Sequence, residues 1–178
     1  MIRVGDVLVE CARGDIAAQS DMDAVVCAAN PWLTTGAGVA GAIHRAAGPA
    51  LYREAAPHAP LATGKAVMTG AHGLPNRHVI HTVGPVYGQD RPSDRLLASC
   101  FRSCLELADE AALESVAFPA ISTGVYGYPL GEAAQVSVDA VVEVAPRLAS
   151  VRRVRFVLWA ASDLAVYAEA LERAARAS

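Results

Sequence analysis

Ala24-Val-Val-Cys-Ala-Ala-Asn30-Pro-Trp-Leu-Thr-Thr-Gly36-Ala-Gly38-Val-Ala-Gly41-Ala-Ile-His44-Arg-Ala-Ala-Gly48 is the stretch whose reading decides the fold. It opens as an unbroken apolar run, the pattern of a strand buried on both faces. One amide side chain, Asn30, follows at the strand's end. A loop with Gly36, Gly38 and Gly41 then feeds a helical pattern from Val39 to Ala47. Glycine lets a backbone approach a ligand closely, and the first amides of a helix lack intrahelical partners. With the helix dipole these features make a cradle for phosphate.

Gly36-Ala37-Gly38-Val39-Ala40-Gly41 also spells G-x-G-x-x-G. The dinucleotide fingerprint needs its first glycine directly after the strand and an acidic residue about 20 positions on. Here Pro31 to Thr35 intervene, and Pro57 to Lys65 holds no carboxylate. The redox-cofactor reading fails on both requirements, and no cofactor is expected.

Further along, Ser115 to Pro119 reads as a short buried strand. It delivers a second glycine-bearing loop, Ala120-Ile121-Ser122-Thr123-Gly124-Val125-Tyr126-Gly127-Tyr128, ahead of a helix from Pro129 to Val144. Two strand–loop–helix units can cradle two phosphates between them. Ser122 does not stand in a G-x-S-x-G elbow, which argues against a serine hydrolase. Tyr126 is either an exposed loop aromatic or a platform for a sugar.

The remaining pattern is alternating strands and helices. Ile2 to Cys11 reads as one strand or two with a kink, and Ala17 to Asp21 as a short helical piece that Asp15 would cap. A helix from Pro49 to Ala55, strands at Ala66–Gly70 and His78–Val83, and a helix from Ser93 to Ala112 follow. Arg152 to Trp159 is the last strand and Asp163 to Ala175 the last helix. Such alternation implies an α/β fold with a largely parallel sheet and helices on both faces, ligands lying beyond the carboxyl ends of the strands. Asn30, the Ser122 loop and Trp159 all fall at such ends.

With 178 residues, the chain reads as one domain over 1–178, and 53% hydrophobic against 19% charged residues excludes disorder. A formal charge of −3 without a basic run disfavours nucleic acid as a partner. No apolar run reaches membrane-spanning length, and the first residues lack a signal peptide's apolar core. Cys11, Cys27, Cys100 and Cys104 form no C-x-x-C pair, so reduced thiols in the cytoplasm are expected. His78 and His81 point to opposite faces of a strand, and no metal site is expected.

Gly14-Asp15-Ile16, Ala28-Ala29-Asn30, Gly36-Ala37-Gly38-Val39 with Gly41 to Gly48, Val79-Ile80-His81-Thr82-Val83-Gly84-Pro85 and Phe118 to Gly127 together resemble the macrodomains, most closely their MacroD-type branch. The resemblance spans nearly the whole chain and implies a three-layer α/β/α sandwich around a mixed sheet, with ADP-ribose in its cleft. It implies that Asp15 accepts from the adenine amino group and that the Ile16 amide meets the ring. Trp159 would lie beside the adenine, unless it packs in the core. Gly36, Gly38, Val39 and Ala40 would face the diphosphate opposite Ser122, Thr123, Gly124 and Val125. Asn30 would hold the distal ribose, with Tyr126 against it.

The chain departs from the family pattern where chemistry is concerned. Ala40 stands where the MacroD-type loop usually has an acidic residue, Cys27 replaces the first asparagine of N-A-A-N, and Ala160 replaces a common acidic residue. His44, without a neighbouring carboxylate, is expected on the helix surface. The resemblance implies a hydrolase that frees ADP-ribose from acidic side chains of mono-ADP-ribosylated proteins, or cleaves the related acetyl ester, with Asn30, Gly124 and Tyr126 as its catalytic set. The alternative is a binding module that reads ADP-ribose without chemistry.

Overall fold

The computed structural model describes residues 1–177. Seven strands, β1 (Ile2–Val4), β2 (Val7–Arg13), β3 (Ala24–Ala29), β4 (Ala66–Gly70), β5 (His78–Val83), β6 (Ser115–Phe118) and β7 (Arg153–Leu158), form one sheet in the order β1-β2-β7-β6-β3-β5-β4. The five inner strands run parallel, and β1 and β4 lie antiparallel at the edges. The helices are α1 (Gly38–Ala47), α2 (Pro49–Ala55), α3 (Ser93–Glu110), α4 (Leu130–Val144) and α5 (Ala161–Ala177).

Strand alternation builds three layers. Ala24 and Val26 of β3, with Val116 and Phe118 of β6, enter a core beneath α3, α4 and α5. Val25, Cys27 and Ala29 enter a second core beneath α1 and α2, with Ile43, Leu51 and Val79. Phe101, Phe118, Phe156 and Tyr167 form a chain of tilted rings in the first core, centroids 4.9, 6.3 and 5.1 Å apart in that order. Each is fully buried, stabilising the fold by roughly 1.5–3 kcal/mol apiece.

Local chemistry moves several boundaries from their expected places. Ile2 to Cys11 is a hairpin, because Gly5 takes φ +58° and turns the chain between β1 and β2. The expected piece at Ala17 to Asp21 is a short 3-10 turn at Ile16–Ala18. Pro129 caps α4 from outside the helix, α1 begins one residue early at Gly38, and α5 begins at Ala161.

Two adjacent inner strands position the site. At their starts, the Asp23 carboxylate accepts from the amides of Glu114 (2.7 Å) and Ser115 (3.2 Å), while the Asp23 amide donates to Ser115 Oγ at 2.8 Å. The ladder between β3 and β6 holds two register pairs, Ala24 with Val116 and Val25 with Ala117. β3 then continues to Ala29 without β6 beside it. From there the chain passes to α1 on one face of the sheet, and β6 passes to α4 on the other. That reversal is a topological switch point, which opens a crevice at the carboxyl ends.

His81 on β5 is fully buried, and burial holds its imidazole down to about 4 from an ordinary 6.5. Burial also lowers His44. Between these pH values the unfolded chain binds a proton at His81 that the folded chain refuses. The unfolding free energy should therefore fall as pH drops from about 6.5 toward 4, by the order of 2–3 kcal/mol. Urea unfolding at several pH values within that window checks this; a flat midpoint would place His81 in solvent.

Candidate functional site

A cleft of about 320 Å³ lies at the switch point. One wall is Asn30 with Gly36 to Ala40, and the other runs through Ala120, Ile121, Ser122, Gly124, Val125 and Tyr126, with Gly84 between them. Thus the fold brings nine expected residues together: Asn30, Gly36, Gly38, Val39, Ala40, Ser122, Gly124, Val125 and Tyr126. Thr123 stands apart, its hydroxyl turned back to donate to the Ala120 carbonyl at 3.0 Å.

The first wall is a helix end built to stay open. Gly38, the first residue of α1, has φ +59°, a conformation that side chains disfavour. Ala37 occupies the N-cap position and makes no side-chain cap, and the first turn carries no acid. The opening amides of α1 consequently keep their donors for whatever enters the cleft, with the helix dipole favouring an anion.

Asn30 is more committed than its position at a strand end suggests. Its Oδ1 accepts from the amides of Trp32 (3.0 Å) and Thr34 (3.3 Å), and its Nδ2 donates to Thr34 Oγ1 at 2.8 Å. Both carbonyl lone pairs are occupied, and Nδ2 also reaches the Thr34 carbonyl at 3.5 Å, the weakest of these contacts. Asn30 organises the 30–36 loop as well as lining the cleft.

The second wall is a tight loop. Ser122 takes φ +66° and Gly127 φ +71°, the Tyr128 amide returns to the Ser122 carbonyl at 2.9 Å, and the Tyr87 amide holds the Tyr126 carbonyl at 2.9 Å. Ser122 Oγ is buried without a partner, a costly state unless a ligand supplies one. Val125 is 98% exposed, so the core does not explain it.

Asp15 and Trp159 line a smaller depression with Arg13 and Gly14. Trp159 is 74% exposed, which removes the core-packing reading. Asp15 does cap its 3-10 turn, Oδ1 accepting from the Ala17 amide at 2.9 Å. Ile16 is buried beneath. The Asp15 carbonyl accepts from Gln19 Nε2 (2.8 Å), and Gln19 Oε1 accepts from Arg155 at 2.8 Å. Arg155 also pairs with Glu10 and Asp21, and its guanidinium pulls the Asp21 carboxyl down to about 2. The depression thus rests on an ion-paired layer along β2 and β7.

His44 departs from expectation. It is buried at 5% exposure, because Ala40, Ile43, His44 and Ala47 share the face of α1 that packs on the sheet. It meets Cys27 and His81 there, a juxtaposition that sequence spacing did not reveal. Gly84, Ala120 and Ile121 line the cleft but carried no expected role. Their signal was positional, since each follows the end of an inner strand.

The Macro domain family model matches residues 26–137. The chain belongs to the macro domain family. An O-acetyl-ADP-ribose deacetylase of Salmonella typhimurium is 46% identical over 164 residues, covering 89% of this chain and 91% of its own. A macrodomain of Oceanobacillus iheyensis solved with ADP superposes with a TM-score of 0.93 at 37% identity, over 99% of this chain and 96% of that one. A Trypanosoma brucei macrodomain in complex with ADP-ribose gives 0.83 at 36% identity, over 92% and 68%. The expected three-layer architecture is therefore that of this macrodomain, with a mixed seven-stranded sheet.

Gly84 tests the geometry of the cleft. A Cβ there would stand 2.2 Å from Ser122 Oγ and 2.6 Å from Ile121 Cγ2. Gly84→Ala should cost about 1–3 kcal/mol of stability, as overpacking does, and displace the 120–127 loop. Thermal unfolding checks it; an unchanged melting temperature would mean that the two loops move apart freely.

Proposed function

We propose that this macrodomain, acting as a single unit over residues 1–178, binds ADP-ribose and hydrolyses the ester that joins it to acidic side chains of mono-ADP-ribosylated proteins, or the related acetyl ester. The observation that carries the reading is the uncapped start of α1 facing the Ser122 loop across the cleft. It suits a diphosphate, and the relatives solved with ADP and ADP-ribose support that choice. The adenine would sit at the Asp15–Trp159 depression. Oδ2 of Asp15 is left to accept from its amino group, because Oδ1 serves the Ala17 amide. The Ile16 amide would meet the ring.

Among the described residues the cleft lining carries no carboxylate, histidine or thiol. Ala40 is buried and apolar. Asn30 cannot take a proton, its Oδ1 being filled by two amides. Its Nδ2 would exchange the long 3.5 Å contact with the Thr34 carbonyl for a distal-ribose hydroxyl, and a diphosphate oxygen would accept the proton of the attacking water. Loop amides near Gly124 would stabilise developing charge, with Tyr126 packing on the sugar. The deacetylase relative supports chemistry of this class.

The missing cleft acid is the one observation that favours the second reading, a module that binds ADP-ribose and leaves it intact. Turnover separates the two. The native protein should release ADP-ribose from a glutamate- or aspartate-modified protein faster than buffer. Asn30→Ala should lower that rate by roughly 10²-fold with a much smaller effect on binding. Release no faster than buffer, with ADP-ribose binding retained, would leave the binding module. Asp15→Ala should weaken ADP-ribose by about 1–3 kcal/mol in calorimetry. Unchanged affinity in the folded variant would reduce Asp15 to a helix cap.

A further inference from the structure

Behind the cleft, on the α1 side of the sheet, three chemically active side chains meet away from solvent. Cys27 on β3 and His81 on β5 are register partners in a parallel pair, so their side chains leave the same face. α1 crosses that face and brings His44 onto it. Cys27 and His81 are fully buried and His44 is 5% exposed. The Cys27 sulfur and one ring nitrogen from each histidine lie within 4.8 Å of one another.

Hydrogen bonding bears on the state of His81. Thr69 Oγ1 stands 3.0 Å from both the Gly70 carbonyl and His81 Nε2, and with its proton on the carbonyl it accepts from Nε2. Nε2 then carries the ring proton. Nδ1 is left as a bare lone pair, buried and without a partner. A histidine that donates through one nitrogen and keeps the other basic is oriented as metal-bound histidines are. Orphaned buried acceptors are rare in folded proteins, and a cation would satisfy this one.

We propose that Cys27, His44 and His81 form a buried three-coordinate site for a soft monovalent cation, Cu⁺. A thiolate with two imidazoles is the soft donor set that selects Cu⁺. Charge argues the same way. One thiolate neutralises Cu⁺, whereas a divalent ion would leave a net positive charge packed among Val25, Ile43 and Val79. The nearby carboxylate, Glu54, is engaged by the Gly70 amide and His72. With metal–ligand bonds of about 2.0–2.3 Å, donors in a trigonal site stand about 3.5–4 Å apart, so closure by about 1 Å suffices. Binding forms one Cu–S and two Cu–N bonds and breaks the Cys27 S–H bond, releasing one proton; copper stays Cu⁺ throughout.

The test uses the full chain, reduced and free of oxygen, with Cys11→Ser as background because Cys11 is only partly buried. Cu⁺ is titrated against a chromophoric Cu⁺ chelator. One equivalent should bind, with an X-ray absorption spectrum of one sulfur and two nitrogens. Cys27→Ser should weaken it by roughly 10²-fold or more, and Thr69→Val, which removes the acceptor holding the His81 tautomer, by about 10–100-fold. Circular dichroism of the metal-free variants checks their folding, and Thr69→Val with the native spectrum decides the matter if Cys27→Ser fails to fold. Uptake unaffected by Cys27→Ser or Thr69→Val, a two-sulfur spectrum from Cys100 and Cys104, or no one-equivalent binding would overturn the site. Zn²⁺ held more tightly than Cu⁺ would overturn the monovalent assignment.

Discussion

The separation of β3 from β6 governs everything at this protein's functional end. Asp23 clamps the two strands where they start, two register pairs hold them together, and then their chains leave for opposite faces of the sheet. Were the ladder to continue, its side chains would fill the space that the cleft occupies. Were both chains to leave on one side, α1 and α4 could not flank the opening. The site is thus a consequence of topology before it is a consequence of any side chain.

Given that opening, the walls recruit backbone in preference to side chains. The lining is mostly alanine and glycine, with Asn30, Ser122 and Tyr126 as its polar members. Small residues let amides stand close to a ligand, and amides hold a fixed direction because helix and turn geometry define them. Such a lining suits an anion, and among the described residues it holds no carboxylate, histidine or thiol to move a proton.

Much of this was legible in the chain. β4, β5 and α2 stand at the residues their composition indicates, because turn residues and Gly48-Pro49 leave little choice. The glycine loop and Asn30 pointed to the cleft through local rules alone. Strand order was not legible, since pairing between β3, β6 and β7 joins segments far apart in sequence. The hairpin at Gly5 hid inside an apolar run that also reads as one strand. His44 was misplaced for a different reason. Its spacing from Ala40, Ile43 and Ala47 follows the buried helical pattern, yet its polarity suggested surface. The contact with Cys27 and His81 needed the parallel register as well, and no motif carries that. At Trp159, composition allowed either core or rim, and only the end of β7 settles it on the rim.

The unprotected start of α1 has a further consequence for engineering. Sequence-guided stabilisation favours Ser, Thr, Asp or Asn at helix N-caps, a change from alanine generally worth about 0.5–2 kcal/mol. Position 37 is where such a scheme would act here, since Ala37 makes no cap. The added side chain would satisfy donors that the cleft holds in reserve, and an acidic one would also repel an entering anion. Thermostability and ligand capture would then move in opposite directions at one residue. The alanine is a defect by the standards of helix design and, under the proposed function, an asset for recognition.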